Sequence, residues 1–138
     1  MSIKSDSFVI YLALVFLGGG LGALARAGLA ALVGRAPGLE GSFPYGTFAV
    51  NLCGCLMIGL LWGISESYHV STAARTLLFT GFLGAFTTFS TFGLESTRLL
   101  VNGESRVALL YILLSNGLGL GLVFCGHYLA ELIGARRT

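Results

Sequence analysis

The residues best suited to chemistry in this chain are neutral and lie in apolar surroundings. Phe89 and Phe92 stand three positions apart, with Ser90 and Thr91 between them, inside the stretch TGFLGAFTTFSTFGLES from Thr80 to Ser96. On a helix that spacing sets both rings on one face. An aromatic ring carries a positive edge and a negative face. Ring edges beside hydroxyl donors therefore suit an anion in transit, because no full positive charge is there to trap it. Core packing is the commoner use of such a pair. Other isolated polar groups interrupt apolar sequence at Asn51, Arg26, Tyr111, Ser115 and Asn116. In hydrocarbon such groups are costly and tend to face a bundle interior or a cavity. Tyr111 and Ser115, four apart, share a helix face. Arg26 lies toward the end of its apolar segment, where snorkelling to the interface is the alternative.

What the sequence lacks narrows its function. Asp6, Glu40, Glu66, Glu104 and Glu131 fall near segment ends or in connections, and Glu95 is the main exception. A proton-coupled carrier usually needs a carboxylate at depth. The sequence carries no His/Cys/Glu cluster at metal-ligand spacing and no credible Ser/His/Asp set, and Gly18-Gly19-Gly20-Leu21-Gly22 sits inside an apolar run rather than in a phosphate-binding loop. Enzymatic activity and an organic cofactor have no support. His69 and His127 read as surface or interfacial residues rather than ligands. Cys53, Cys55 and Cys125 read as small buried hydrophobes, since Cys-Gly-Cys on a helix points its thiols to nearly opposite faces. The net charge is +2 without a block of Lys or Arg, which argues against a nucleic-acid partner.

The elements that must position these groups are membrane spans. Of 138 residues, 55% are hydrophobic and 10% charged, against about 25% charged in an ordinary soluble domain. Four apolar runs, at roughly 8–33, 45–65, 73–100 and 107–133, each supply the ~20 residues that cross a bilayer. The expectation is one four-helix transmembrane domain, 1–138. The first run outlasts the ~7–15 apolar residues of a cleavable signal and is read as a retained span. Glycines four apart, at Gly18/Gly22, Gly59/Gly63 and Gly117/Gly121, predict close helix packing. Four such helices enclose little room for a pore, so oligomerisation is expected.

Basic residues divide evenly: Lys4, Arg75, Arg136 and Arg137 on one side, Arg26, Arg35, Arg98 and Arg106 on the other. Orientation follows Lys/Arg asymmetry, so this chain carries almost no topological instruction, which fits insertion both ways up or a chance tie. The third run is also longer than a crossing needs. Gly81, Gly84 and Thr87-Thr88 near its middle allow two structures: a broken helix whose freed carbonyls can coordinate a cation, or a continuous helix whose hydroxyls bond one turn back.

Three blocks, GFLGAFTTFSTF (Gly81–Phe92), GTFAVNLCG (Gly46–Gly54) and GGGLGALARAGL (Gly18–Leu29), resemble the Fluc/CrcB family of fluoride channels. The resemblance implies an all-α membrane protein with four helices per subunit, the third broken near its middle. It also implies an antiparallel, dual-topology homodimer in a prokaryotic inner membrane. Such a dimer would pass fluoride through two pores and confer fluoride resistance. By resemblance, Phe89 and Phe92 supply ring edges, Ser90 and Thr91 a hydroxyl track, and Asn51 a pore-facing amide. Tyr111 and Ser115 would line the pore on the fourth helix, and Arg26 would stand at a vestibule. The backbone carbonyls of Gly84 and Thr87 would hold a structural sodium ion at the dimer centre. A hydroxyl expected one turn beyond Ser115 is replaced by Gly119, and Glu95 matches a family acidic position without an assigned role. Two other classes remain: a small multidrug resistance-type transporter, which needs a carboxylate in the first span where Phe8 to Val33 has none, and a structural membrane subunit, which leaves Asn51 and the hydroxyl cluster unexplained.

Overall fold

The computed structural model describes residues 5–39 and 41–135. Lys4, Arg136 and Arg137 of the basic tally, and Glu40, lie outside the described residues. Helical spans Ser7–Gly34, Tyr45–Ser67, Thr72–Val101 and Ser105–Gly134 are each long and apolar enough to cross a bilayer. Helix α1 (Ser5–Gly34) runs unbroken through its triple glycine. Helix α2 (Tyr45–Ser67) begins directly after Pro44, where a missing N–H costs the helix nothing.

The third span is assembled from pieces. Its first turn, α3 (Thr72–Arg75), is capped by Ser71, whose hydroxyl accepts from the Ala74 N–H at 3.3 Å. A π-helical stretch, Thr76–Leu83, follows, then one α-turn, α4 (Gly84–Phe86). The helix stops at Thr87 (φ −83°, ψ 155°) and Thr88 (φ −146°, ψ 113°) and resumes as α5 (Phe89–Val101). Of the two structures open to this segment, the chain adopts the broken one. The wider π turns upstream had no sequence signature. The end of α5 is closed by Gly103 at φ 82°: the Glu104 N–H reaches the Leu99 carbonyl at 2.8 Å and the Gly103 N–H that of Leu100 at 3.1 Å. This is the paired bond pattern of a Schellman motif, with glycine in the left-handed position. Helix α6 (Ser105–Ala135) completes the fold.

Glycine sets how closely the spans approach. A Cβ on Gly22 would collide with the Phe82 carbonyl and one on Gly18 with backbone at Leu77 and Phe82, so α1 crosses the π-helical stretch backbone to backbone. On α2, Gly59 abuts the Val123 carbonyl of α6, and Gly126 of α6 abuts Leu56 and Leu60 in return; α2 and α6 make the most extensive helix pairing. A Cβ on Gly117 or Gly121 would meet nothing within 4 Å among the described residues, so these residues do not make the close packing expected of that pair.

The interior is small. Val50, Leu83, Phe86, Leu99, Ala108 and Tyr111 are buried, while Phe16, Leu24, Leu32 and Phe124 point outward, as they can in a lipid solvent. Cys53 and Cys125 are exposed, which corrects the expectation of buried thiols at these two positions, whose helix faces turn outward, while Cys55 is half-buried against Gly119 of α6. The Gly22→Val variant is expected to lose about 1–3 kcal/mol to overpacking, whereas Gly117→Ala stays within ~0.5 kcal/mol of wild type. Thermal unfolding of the detergent-solubilised variants checks both.

Candidate functional site

The break in the third span is held by a side chain from another helix. Asn51 of α2 accepts from the Thr88 N–H through Oδ1 at 2.9 Å and donates through Nδ2 to the Thr88 carbonyl at 3.3 Å. The amide side chain thus stands in for a neighbouring backbone peptide. The Thr88 hydroxyl caps α5, accepting from the Thr91 N–H at 3.3 Å, and it donates to the Thr91 hydroxyl at 3.0 Å with Ser90 Oγ 3.3 Å away.

These bonds divert two donors. In a continuous helix the Thr88 N–H would serve the Gly84 carbonyl and the Thr91 N–H the Thr87 carbonyl. Both donors are committed elsewhere, so Gly84 and Thr87 present carbonyls released from helical pairing. Thr87 keeps its own hydroxyl on the Leu83 carbonyl at 3.1 Å. Gly54 admits the turn, because a Cβ there would strike the Thr87 side chain.

A cleft of about 370 Å³ opens at the break. Asn51, Gly84, Thr87, Thr88, Phe89, Phe92, Ser115 and Asn116 line it, with Gly54, Cys55, Ile58, Phe79 and Leu83. Sequence candidates from three of the spans therefore converge. Phe89 is 83% exposed, and its ring centroid lies 5.7 Å from that of Phe92. Among the described residues the Ser115 Oγ, buried beside the cleft, has no hydrogen-bond partner. Asn116 turns its Nδ2 to the Ile112 carbonyl at 2.7 Å.

Other candidates sit apart from the cleft lining. Ser90 is exposed and Thr91 half-buried on the first turn of α5. Arg26, half-buried on α1, forms no hydrogen bond or ion pair among the described residues. Tyr111 is 0% exposed and lies behind Phe92, ring centroids 5.1 Å apart. Its hydroxyl donates to Glu95 Oε2 at 2.9 Å, and the buried Thr47 hydroxyl donates to Glu95 Oε1 at 2.8 Å. Phe43 and Phe48 pack on the same tyrosine, and the Ser42 hydroxyl bonds Glu104 to tie the first connection to the third.

Sequence reasoning left Glu95 without a role and passed over Thr47. The only available signal was a carboxylate within an apolar span, which must find donors; which donors it finds depends on tertiary placement. The structure assigns it two, from α2 and α6.

Fold and site together define a small, four-span helical membrane protein whose third span is broken beside a largely apolar, aromatic-edged cleft that carries a few amide and hydroxyl groups. The chain belongs to the family described as CrcB-like protein, Camphor Resistance (CrcB), which matches residues 13–127. Among curated relatives, the Fluoride-specific ion channel FluC of Nitratidesulfovibrio vulgaris is 49% identical over 114 residues, 82% of this chain and 90% of the relative. The protein of the same name from Salinibacter ruber is 47% identical over 81% of this chain and 83% of its own length. That of Parabacteroides distasonis is 42% identical over 86% and 91% respectively. The chain is a multi-pass membrane protein of this family.

The Glu95 pairings carry a stability prediction. Tyr111→Phe and Thr47→Val each delete one donor to a carboxylate, at an expected cost of about 1.5–3 kcal/mol. Because both donors serve one group, the double variant should depart from additivity by at least ~0.5 kcal/mol. Unfolding midpoints in detergent check this, and midpoints unchanged in both single variants contradict it.

Proposed function

We propose that the chain is a passive, fluoride-selective channel that works as an antiparallel homodimer with two pores. The observation that carries the reading is the extended similarity, 42–49% identity over more than four-fifths of this chain, to proteins named as fluoride-specific channels. The cleft supports it chemically. Asn51 and Ser115 bring amide and hydroxyl groups to a surface rimmed by Phe89 and Phe92, and among the described residues no cationic side chain lines that surface. An anion there meets partial positive charge at donors and ring edges. Such contacts are weak enough to permit release, which conduction requires.

In this reading Phe89 and Phe92 present ring edges, and Asn51 and Ser115 supply donors. Ser90 and Thr91 extend the hydroxyl track. Tyr111 acts at the pore through Phe92 and Glu95, and Arg26 serves a vestibule. The exposed Phe89 and the open cleft call for a covering surface, and a second copy in the opposite orientation would complete two pores.

The Gly84 and Thr87 carbonyls fit the structural sodium expected at the dimer centre, because their helical donors are diverted to Asn51 and Thr88. Unwound carbonyls are suited to a monovalent cation at membrane depth. When bound, the ion would supply fixed positive charge, and the Gly84 and Thr87 carbonyls would hold it.

A passive pore suffices for fluoride resistance. Hydrogen fluoride crosses a membrane from an acidic medium, dissociates at neutral internal pH and is trapped as the anion. An inside-negative potential favours anion exit by ~2.3 kcal/mol per charge per 100 mV.

The test is ion efflux from potassium-loaded proteoliposomes with valinomycin, read by fluoride and chloride electrodes in parallel. Fluoride release without chloride release is expected; folded, dimeric protein that releases neither ion contradicts the reading. Phe89→Ile and Phe92→Ile should slow fluoride efflux about tenfold, equivalent to ~1.4 kcal/mol, while leaving the dimer assembled. Unchanged efflux in both variants would remove the two rings from the pore.

A further inference from the structure

We propose that Glu66, His127 and Glu131 form a binding site for a divalent transition-metal cation of the zinc or nickel type, remote from the cleft and independent of the channel reading. Sequence spacing concealed it, because Glu66 belongs to α2 and the other two to α6. The close approach of these helices at Gly59, Gly63 and Gly126 brings their last turns together.

His127 Nε2 lies 3.7 Å from Glu66 Oε2 and 3.5 Å from Glu131 Oε1, and the three candidate ligand atoms all fall within 4.8 Å of one another. Those separations are too long for hydrogen bonds. They are close to the spacing of neighbouring ligands around a tetrahedral ion, roughly 3.4 Å for metal–ligand bonds of about 2.1 Å. One imidazole and two carboxylates suit zinc, nickel or cobalt, and three protein ligands leave room for water.

The ligands are already oriented. The Trp62 indole N–H donates to Glu66 Oε1 at 2.9 Å, which leaves Oε2 as the atom turned toward His127. The indole also stacks on the imidazole, centroids 4.1 Å apart and planes 20° apart, fixing the ring plane. His127 Nδ1 is buried against Gly63 and has no partner among the described residues, so Nε2 is the nitrogen presented to the carboxylates. The indole thus fixes one oxygen of the Glu66 carboxylate and the plane of the His127 ring, an outer-shell contribution to ligand orientation. Electrostatics points the same way. Both carboxylates lie near helix C-termini, where the macrodipole favours positive charge, and the last turn of α2 contains no basic residue.

Trp62 is the only tryptophan in the chain, so its fluorescence reads the site. Titration of tag-free, full-length protein in detergent near neutral pH with nickel chloride is expected to quench it saturably at one ion per chain. Zinc chloride should restore the emission by displacement. His127→Ala should abolish the saturable quenching, and Glu131→Gln, a change on a half-exposed side chain, should weaken it by on the order of tenfold or more. Absence of saturable quenching up to millimolar nickel overturns the site and leaves His127 as an ion-pair partner of the two carboxylates. Equal quenching in His127→Ala also overturns it, placing the metal on thiols or on His69.

Discussion

A backbone that leaves helical geometry at membrane depth must find other partners for its polar groups, and at Thr88 a single side chain supplies both. An unpaired peptide N–H or C=O in hydrocarbon costs several kcal/mol. Asn51 meets the N–H and the carbonyl of Thr88 together, so the interruption is a defined, bonded structure rather than a loosened helix. Much else follows from this contact. Gly54 must lack a side chain so that Thr87 can seat against α2. Thr88 must carry a hydroxyl so that α5 starts with a cap. The Gly84 and Thr87 carbonyls are released because their donors have gone elsewhere.

The same economy governs charge. Glu95 is a carboxylate in the third span, yet both its oxygens accept from neutral hydroxyls, Thr47 and Tyr111. Edge-on and tilted packing of Phe43, Phe48 and Phe92 around Tyr111 keeps that hydroxyl in place behind the cleft. In the channel reading, this arrangement keeps a fixed negative charge out of the cleft lining and leaves donors and ring edges to meet an anion. Recognition then rests on many weak, preorganised contacts, which is compatible with rapid passage.

The spans were legible in the sequence because hydropathy and length are properties of one segment. The break was legible only as one of two outcomes: Thr87, Thr88, Ser90 and Thr91 announce competition for backbone bonds, but a continuous helix satisfies the same hydroxyls. What decides between them is Asn51, 37 residues away, and no local rule reports that meeting. Asn51 was recognisable as an isolated amide in an apolar span, while its two bonds to Thr88 were not. The pairing of Thr47 with Glu95, the gathering of Glu66 with His127, and the π-helical stretch against α1 share this origin in helix–helix placement. Gly117 and Gly121 mark the converse limit, since spacing predicts that a helix can be approached closely but not which surface approaches it.

The measurement closest to this account is the hydrogen exchange of the Thr88 amide, followed by NMR on the reconstituted protein beside an Asn51→Ala variant. A clamped break predicts slow exchange at Thr88 in the wild type, comparable with amides inside α5, and exchange at least about tenfold faster in the variant, as expected on losing ~1.4 kcal/mol or more of protection. Fast exchange at Thr88 in the wild type, or protection that survives removal of the Asn51 amide, would contradict the claim that this one side chain holds the third span open.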